Sequence, residues 1–192
     1  IHALDVEDFV SSQDGAYLSF RHRPKTGTPL KNKVGGERDV DLDKSVASVL
    51  GDYIECKRED TTDEHGRNPL LSSRWGRVAK STMRNYIYKW TRPCSVGNEC
   101  PFGEDPDECE AAERTNTAHK CPGSLSCHPV RKGYITSELK AGVPQRVVSE
   151  RCNVSKEVMD KHYDYRSKKE KMEARRMLLQ QAHRINSGYL SG

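Results

Sequence analysis

Apolar and polar residues alternate in two short segments near the start of the chain, residues 16–22 and residues 37–42. An alternation with a period of two is typical of strands that bury one face. Residues 24–36, between the two segments, are rich in Gly, Pro and Lys, which favours a turn. The pattern therefore predicts an antiparallel strand pair joined by a basic turn.

The spacing of apolar residues becomes helical after Asp43, which is a suitable helix cap. The polar residues 59–68 end this predicted helix, and a second helix is predicted over residues 82–91 with Ser81 as its cap. Four apolar residues that share one face of the first helix are Val46, Val49, Leu50 and Ile54.

Helical spacing returns near residue 129 and continues to the end of the chain. A helix is predicted over residues 129–139, with Gly142 as the residue that ends it. Pro144 opens a short helix, Ser155 caps another, and Ser167 begins a long charged one. The C-terminal third is therefore predicted to be entirely helical.

The composition narrows the class of protein. The chain has 192 residues, 34% of them apolar and 31% charged, with a net charge of +4. This length suffices for one domain with a core, and the periodic apolar residues argue against global disorder. No stretch approaches the roughly 18 to 20 apolar residues of a membrane span, and no secretory signal is visible. A soluble, cytoplasmic protein is expected.

The seven cysteines are unevenly distributed. A secreted disulfide scaffold is typically shorter and carries its cysteines throughout, so the distribution favours a reducing compartment and a local metal or redox role. The segment 92–127 shows almost no apolar periodicity and is predicted to be an irregular insertion that needs a cross-link. Five of the cysteines lie in it: Cys94, Cys100, Cys109, Cys121 and Cys127.

A histidine, an arginine and a tyrosine form the strongest chemical signal. His128 and Arg131 belong to the run His-Pro-Val-Arg, and Tyr163 follows 35 residues after the histidine. Residues at i and i+3 share a helix face, so both side chains can address one target. A guanidinium matches the oxygens of a phosphate, and a histidine donates a hydrogen bond or transfers a proton. Because H-x-x-R also arises by chance, a partly exposed, solvated helix face remains the alternative.

The context of these residues resembles the tyrosine recombinases of the phage integrase family. Residues 128–148 resemble the second-arginine box of that family, and residues 160–164 resemble the box that carries its nucleophile. Residues 21–32, residues 166–176 and the insertion that begins at Trp90 are similar to archaeal, haloarchaeal-type integrases. The resemblance spans essentially the whole chain.

The resemblance implies an α+β fold, mostly helical, with a small antiparallel sheet at the N-terminal side. Residues 1–192 would form one integrase catalytic domain, with a Cys-rich insertion at about 92–127. Residues 1–9 look like the sequence that follows the family's first-arginine box, so the chain is expected to be truncated at its N-terminal end. Without that arginine it is expected to cleave DNA weakly or not at all, whereas the longer parent protein is expected to be active.

The chemistry that the resemblance implies is site-specific DNA recombination without a catalytic metal. Tyr163 would attack a phosphodiester and form a 3′-phosphotyrosyl intermediate. Arg131 and His128 would stabilise the charge on the non-bridging oxygens. Lys31, or else Lys33, would protonate the leaving 5′-oxygen.

Two positions leave alternatives open. Asn153 occupies the place where the family usually has His or Trp, and it would contribute less because it carries no charge. Tyr165 lies two residues beyond Tyr163, but the spacing from His128 favours Tyr163 as the nucleophile.

A similar insertion in archaeal integrases suggests a structural Zn²⁺ site, with His119 and Cys127 as reserve ligands. Reduced thiols without a metal, or adventitious disulfides, are the alternative. The four ligands so suggested are Cys94, Cys100, Cys109 and Cys121.

The expected partners are double-stranded DNA and further copies of the protein in a synaptic tetramer, with no membrane, in the cytoplasm at the nucleoid. Arg21, Arg23 and Lys25 are expected to bind phosphates. The alternatives are an inactive DNA-binding remnant or regulator of the same fold, and a zinc-stapled interaction module. Apolar residues of the last helix that would dock into a neighbouring protomer are Met172, Leu178 and Leu179.

Overall fold

The computed structural model describes residues 1–164 and 166–188. Helices predominate and small antiparallel sheets accompany them, so the predicted α+β class is confirmed. The chain divides into two compact units, Ile1–His128 and Pro129–Gly192. Among the helices described, none is both long enough and apolar enough to cross a bilayer.

A three-stranded antiparallel sheet opens the first unit, in the order β1 (Phe9–Ser12), β2 (Gly15–Phe20) and β3 (Arg38–Leu42). The predicted pairing of the second and third strands is confirmed. β1 was not predicted, because four residues are too few to establish an alternation. The basic turn between β2 and β3 contains two 3₁₀ helices, Pro24–Thr26 and Lys33–Gly36.

Helix α1 (Lys44–Cys56) follows the sheet, and its cap is the predicted one: the Asp43 carboxylate accepts a 2.8 Å hydrogen bond from the backbone N–H of Ser45. The apolar face of this helix is not buried, however. Val46 is 52% exposed and Val49 is 68% exposed, and the helix has no buried residue. The periodicity identified the helix but not what covers it, because burial depends on neighbouring elements.

A short hairpin of β4 (Ser72–Ser73) and β5 (Gly76–Arg77) precedes helix α2 (Lys80–Thr91). The hairpin was not predicted. The predicted cap of α2 is wrong, because the extended residue before the helix is Ala79 and Ser81 lies inside the first turn. Over residues 92–126 the first unit has only short elements: a 3₁₀ helix Pro93–Val96, α3 (Glu110–Glu113) and a 3₁₀ helix Ala118–Lys120.

Buried charges hold the start of the chain in the first unit. The Asp5 side chain is 2% exposed and forms ion pairs with Arg67, with Arg77 at 2.5 Å and with Arg23 at 3.7 Å. Arg23 also bonds to the buried Asp8 through two contacts of 2.6 and 2.7 Å. A buried carboxylate is tolerated only when it is paired and hydrogen-bonded. These pairs therefore connect the N-terminal segment to residues far along the chain.

The second unit is a helical cluster. Helix α4 (Cys127–Lys140) enters it, followed by α5 (Gln145–Cys152), α6 (Lys156–His162) and α7 (Lys168–Gly188). The cluster has a small apolar core. Its buried members are Ile135, Leu139, Val148, Cys152 and Met159.

The predicted ends of these helices agree with the structure. Gly142 adopts a φ of 88° just after α4, a left-handed conformation that glycine takes without strain. The Ser155 hydroxyl accepts a hydrogen bond from the N–H of Val158, as a cap does. Ser167 and Glu170 bond reciprocally at the start of α7, which is a capping box. The residues that begin and end these helices could therefore be predicted from the sequence.

We predict that Asp5→Asn lowers the free energy of unfolding of the first unit by about 3 kcal/mol, because it leaves buried guanidinium groups without their shared counter-charge. Trp75 and Trp90 both lie in the first unit, so urea unfolding followed by tryptophan fluorescence reports on it. The control is Asp14→Asn in the exposed turn before β2, which should leave the midpoint unchanged. Equal midpoints for the two variants would contradict a structural role for the Asp5 cluster.

Candidate active site

His128 and Arg131 lie in the first turns of helix α4, one helical turn apart, as the sequence predicts. His128 is exposed and Arg131 is half-buried. The first backbone N–H groups of a helix have no partner within it, and this end carries a partial positive charge. An anion near His128 would therefore meet a favourable field.

Arg131 connects two helices of the second unit. Its guanidinium donates a hydrogen bond to the backbone carbonyl of Cys152, the last residue of α5. Carbonyls at a helix C-terminus lack partners within the helix and carry partial negative charge, so a cation there is stabilising. A guanidinium has five N–H donors, and this contact uses one nitrogen. Arg131 is thus held in place while further donors remain on the same side chain.

Tyr163 follows the last residue of α6, and its backbone N–H donates to the carbonyl of Met159 at 3.0 Å. The residue is half-buried and packs against the core of the second unit, to which Cys152 belongs. Arg131 bonds to the main chain of Cys152, so the structure brings Arg131 and Tyr163 to the same cluster of three helices. Their catalytic roles stay a prediction. Tyr165 lies outside the described residues.

A buried ion pair fixes the chain immediately after Tyr163. The Asp164 side chain is 1% exposed and contacts Arg166 at 2.8 Å and Lys171 at 3.2 Å. Arg166 also donates to the backbone carbonyl of Leu139 near the end of α4, at 2.9 Å. The Arg166 hydrogen bond lowers the pKa of Asp164 from its usual 3.8 to about 2, against the opposing effect of burial.

The buried pair of Asp164 and Arg166 is not predictable from the sequence, because an acid two residues before an arginine is too common to signal one. Their burial arises from α4 and α7, which only the fold brings against them.

Asn153 ends α5 in the left-handed region, with φ 50° and ψ 58°. Its N–H donates to the carbonyl of Glu150 at 3.2 Å. Asn is among the few residues that adopt this conformation readily, because its short polar side chain bonds to nearby backbone. The residue therefore has a backbone reason to be Asn, which is separate from the predicted contact to phosphate.

Lys31 and Lys33 are both exposed on the turn between β2 and β3, in the first unit. Lys33 adopts a φ of 51°. Exposure is what a residue that approaches DNA requires, and both lysines have it. The choice of Lys31 as general acid stays a prediction.

Two of the arginines predicted to bind phosphate already have carboxylate partners. Arg21 pairs with Asp39 at 2.8 Å, and Arg23 is held by Asp8 and its neighbours. The bonds with Asp8 raise the pKa of Arg23. Because its charge is balanced within the protein, Arg23 is better described as structural, whereas Lys25 is exposed.

The four cysteines predicted to bind a metal line one cavity of about 10 Å³ in the first unit. The reserve ligands do not: Cys127 is exposed, and His119 lines a different, open cavity where its Nδ1 lies 2.9 Å from the Asn116 carbonyl oxygen. No disulfide occurs within the described residues. As placed there, no three Cys, His, Asp or Glu side chains are arranged to hold a metal ion.

Helix α7 presents the apolar residues predicted to contact another protomer. Met172 is 40% exposed, Leu178 38% and Leu179 61%. Exposure leaves them available for such a contact, which itself stays a prediction.

The fold is α+β and mostly helical. The crystal structure of XerA recombinase is similar to it, with a TM-score of 0.53 and 16% sequence identity, over 94% of this chain and 50% of that one. The chain thus spans about half the length of that protein, and a likeness at this identity shows the fold alone. No protein-family model matches the sequence, and no curated protein matches it either.

We predict that Asp164→Asn removes a pH-dependent part of the stability of the second unit. A carboxylate with a lowered pKa stabilises the fold above its unfolded pKa of 3.8, and this stabilisation is lost as the pH falls towards 2. A shift of this size corresponds to about 2 kcal/mol. The measurement is urea unfolding at several pH values, followed by far-ultraviolet circular dichroism.

The tryptophan fluorescence transition serves as the internal control, because it reports on the first unit only. In the wild type the circular dichroism midpoint should fall between pH 4 and pH 2 more steeply than in Asp164→Asn. Parallel pH profiles for the two proteins would show that the pair contributes nothing to stability.

We predict that Asn153→Gly keeps the stability of the second unit, whereas Asn153→Val lowers it by about 1–2 kcal/mol, since a β-branched side chain is strained in the left-handed region. The reporter is the rate at which Cys152, the one cysteine of this unit, reacts with a thiol reagent in urea. Equal rates for the Gly and Val variants would refute the backbone explanation for Asn153.

Proposed function

We propose that the protein cleaves and rejoins DNA as a site-specific recombinase, through a covalent intermediate at Tyr163. One observation carries the proposal: Arg131 bonds to the backbone of Cys152, and the Tyr163 ring packs against the core that contains Cys152. The H-x-x-R helix and the tyrosine are therefore neighbours in space as well as members of one sequence pattern. The XerA likeness supports the proposal at the level of the fold.

The proposed reaction needs no cofactor. The Tyr163 hydroxyl gives up its proton to water as its oxygen attacks the phosphorus, the P–O bond to the 5′-oxygen breaks, and a 3′-phosphotyrosyl bond forms. Lys31 supplies the proton that the leaving 5′-oxygen takes up, with Lys33 as the alternative donor. Rejoining is the same reaction in reverse, with an incoming 5′-hydroxyl as nucleophile.

The charges in the site would act on the transition state. A guanidinium placed against the non-bridging oxygens stabilises the charge that builds on them, and removal of one such donor typically costs about 3 kcal/mol or more. Arg131 would take this role together with His128, which stands at the positive end of α4. Asn153 would add an uncharged hydrogen bond from the end of α5.

The Asp164–Arg166 pair would not contact the DNA in this reaction but would hold Tyr163 in position. It ties the backbone beside Tyr163 to Leu139 of α4, the helix that also bears His128 and Arg131. Reactions that depend on orientation lose much of their rate when a reacting group is misplaced by about 1 Å. We therefore assign Arg166 a positioning role for the tyrosine.

The proposed partners are double-stranded DNA and further copies of the protein. The region from residue 161 to residue 184 carries eight basic residues against three acidic ones. Binding to phosphates releases counter-ions, so the affinity for DNA should fall steeply with salt. Assembly through the exposed apolar residues of α7 would bring the copies together on two DNA duplexes.

The test is covalent capture of DNA by Tyr163. The full-length protein that contains these residues is incubated with sheared, nicked DNA from cells that carry its gene, and adducts that survive detergent are counted. We expect adducts with the wild type and none with Tyr163→Phe, because phenylalanine has no nucleophilic oxygen. Arg131→Ala should reduce them at least a hundredfold.

Tyr134→Phe is the matched control. Tyr134 also lies in the second unit, where its hydroxyl accepts a 2.7 Å hydrogen bond from Arg151, and its loss should leave adducts unchanged. Loss of adducts in Tyr165→Phe but not in Tyr163→Phe would move the nucleophile to Tyr165. Salt-sensitive DNA binding with no adduct from any form would favour an inactive DNA-binding protein of the same fold.

A further inference from the structure

We propose that Cys94, Cys100, Cys109 and Cys121 bind one Zn²⁺ ion, which holds the segment 92–127 in its folded form. The proposal concerns the first unit alone and does not depend on recombination.

The four cysteines converge although 27 residues separate the first from the last. All of them line the same cavity, whose volume of about 10 Å³ is close to that of one water-sized sphere. Each lies in or beside a short element or turn: Cys94 in the 3₁₀ helix Pro93–Val96, Cys109 at the start of α3, and Cys121 directly after the 3₁₀ helix Ala118–Lys120. Four chain segments therefore each contribute one cysteine to the lining of one small space.

The convergence is selective. Cys127 belongs to the same segment but is exposed, and Cys56 is exposed on α1. His119 stands only two residues before Cys121, yet it faces another cavity. If the grouping arose only from the density of cysteines in this segment, Cys127 would be as good a member as the others.

The donor set favours zinc over other common ions. Four thiolates in a tetrahedron are a usual structural zinc site, with Zn–S distances of about 2.3 Å. Magnesium and calcium require oxygen ligands, and here Glu104 is the one carboxylate among the lining residues. Two disulfides would also use four cysteines, but no disulfide is present within the described residues.

A cation beside the cavity would lower the cost of gathering negative charge. Four thiolates and one Zn²⁺ carry a net charge of −2. Arg92 is 7% exposed, lines the cavity, and is oriented by a 2.5 Å hydrogen bond to the Ala111 carbonyl. Groups of this kind around a metal site commonly stabilise its ligands.

The segment buries few apolar residues. Its buried apolar residues are the two alanines Ala111 and Ala118, and α3 is only four residues long. Short helices are unstable without tertiary support, and metal binding supplies such support in small domains that lack a core. As the structure describes them, no three of these thiols are arranged to hold a metal ion, so the proposal requires side-chain rotations that bring their Sγ atoms together when the ion binds.

The first experiment measures zinc per chain by elemental mass spectrometry, on protein expressed without added zinc. We expect one zinc per chain, far less than one in Cys109→Ser, and one in the matched control Cys127→Ser. His119→Ala should also keep its zinc. Well below one zinc in the wild type, or equal loss in Cys109→Ser and Cys127→Ser, would overturn the proposal.

The second experiment stays informative if Cys109→Ser fails to fold, because it uses the wild type. Only the two exposed cysteines, Cys56 and Cys127, should react quickly with a thiol reagent, and a chelator should raise the number of fast thiols to six. Cobalt(II) put in place of zinc should give the visible absorption of a tetrahedral thiolate site. Six fast thiols before chelation, or disulfides among the four cysteines, would refute zinc binding.

Discussion

A buried ion pair between Asp164 and Arg166 anchors the chain directly after Tyr163. Helix α6 ends before the tyrosine, and the backbone N–H groups of Tyr163 and Asp164 both donate to the Met159 carbonyl at 3.0 Å. The carboxylate holds the guanidinium, and the guanidinium holds the Leu139 carbonyl of α4. A buried carboxylate left alone would be costly, but this one keeps its charge because its cations are within contact distance. The same pair thus connects α4 to the chain after α6, and in the proposed reaction it would position the nucleophile.

The first unit is also stabilised by buried ion pairs, and it has more of them. Few large apolar side chains are buried in it, Leu4 and Leu70 among them, while Asp5 gathers several arginines at the start of the chain. With only 34% apolar residues, the chain relies on paired charges to connect distant segments. This explains why Arg23, which a DNA-binding protein could be expected to offer to phosphate, is bound to Asp8 instead.

The Cys-rich insertion also buries few apolar residues, and its cysteines offer a different kind of cross-link. It buries two alanines and one arginine, and its cysteines meet at a cavity large enough for a single ion. Apolar packing and a buried ion pair therefore stabilise the second unit, buried ion pairs stabilise the first, and the proposed zinc ion would stabilise the insertion. The ion pairs of Asp5 and the four cysteines join residues that are far apart in sequence, and a cross-link that closes a long loop removes more chain entropy from the unfolded state.

The sequence by itself determined the local structure: the capping residues Asp43, Ser155 and Ser167, the strand pair β2–β3, and the spacing of His128 from Arg131. These features follow from contacts within a few residues, so a pattern of period 2 or 3.6 reveals them. Only the tertiary structure decided that Val46 and Val49 stay exposed, that the Asn153 position requires a left-handed backbone, and that Asp164 is buried with Arg166. Burial and ion pairing depend on which distant elements come together, and no local pattern records that.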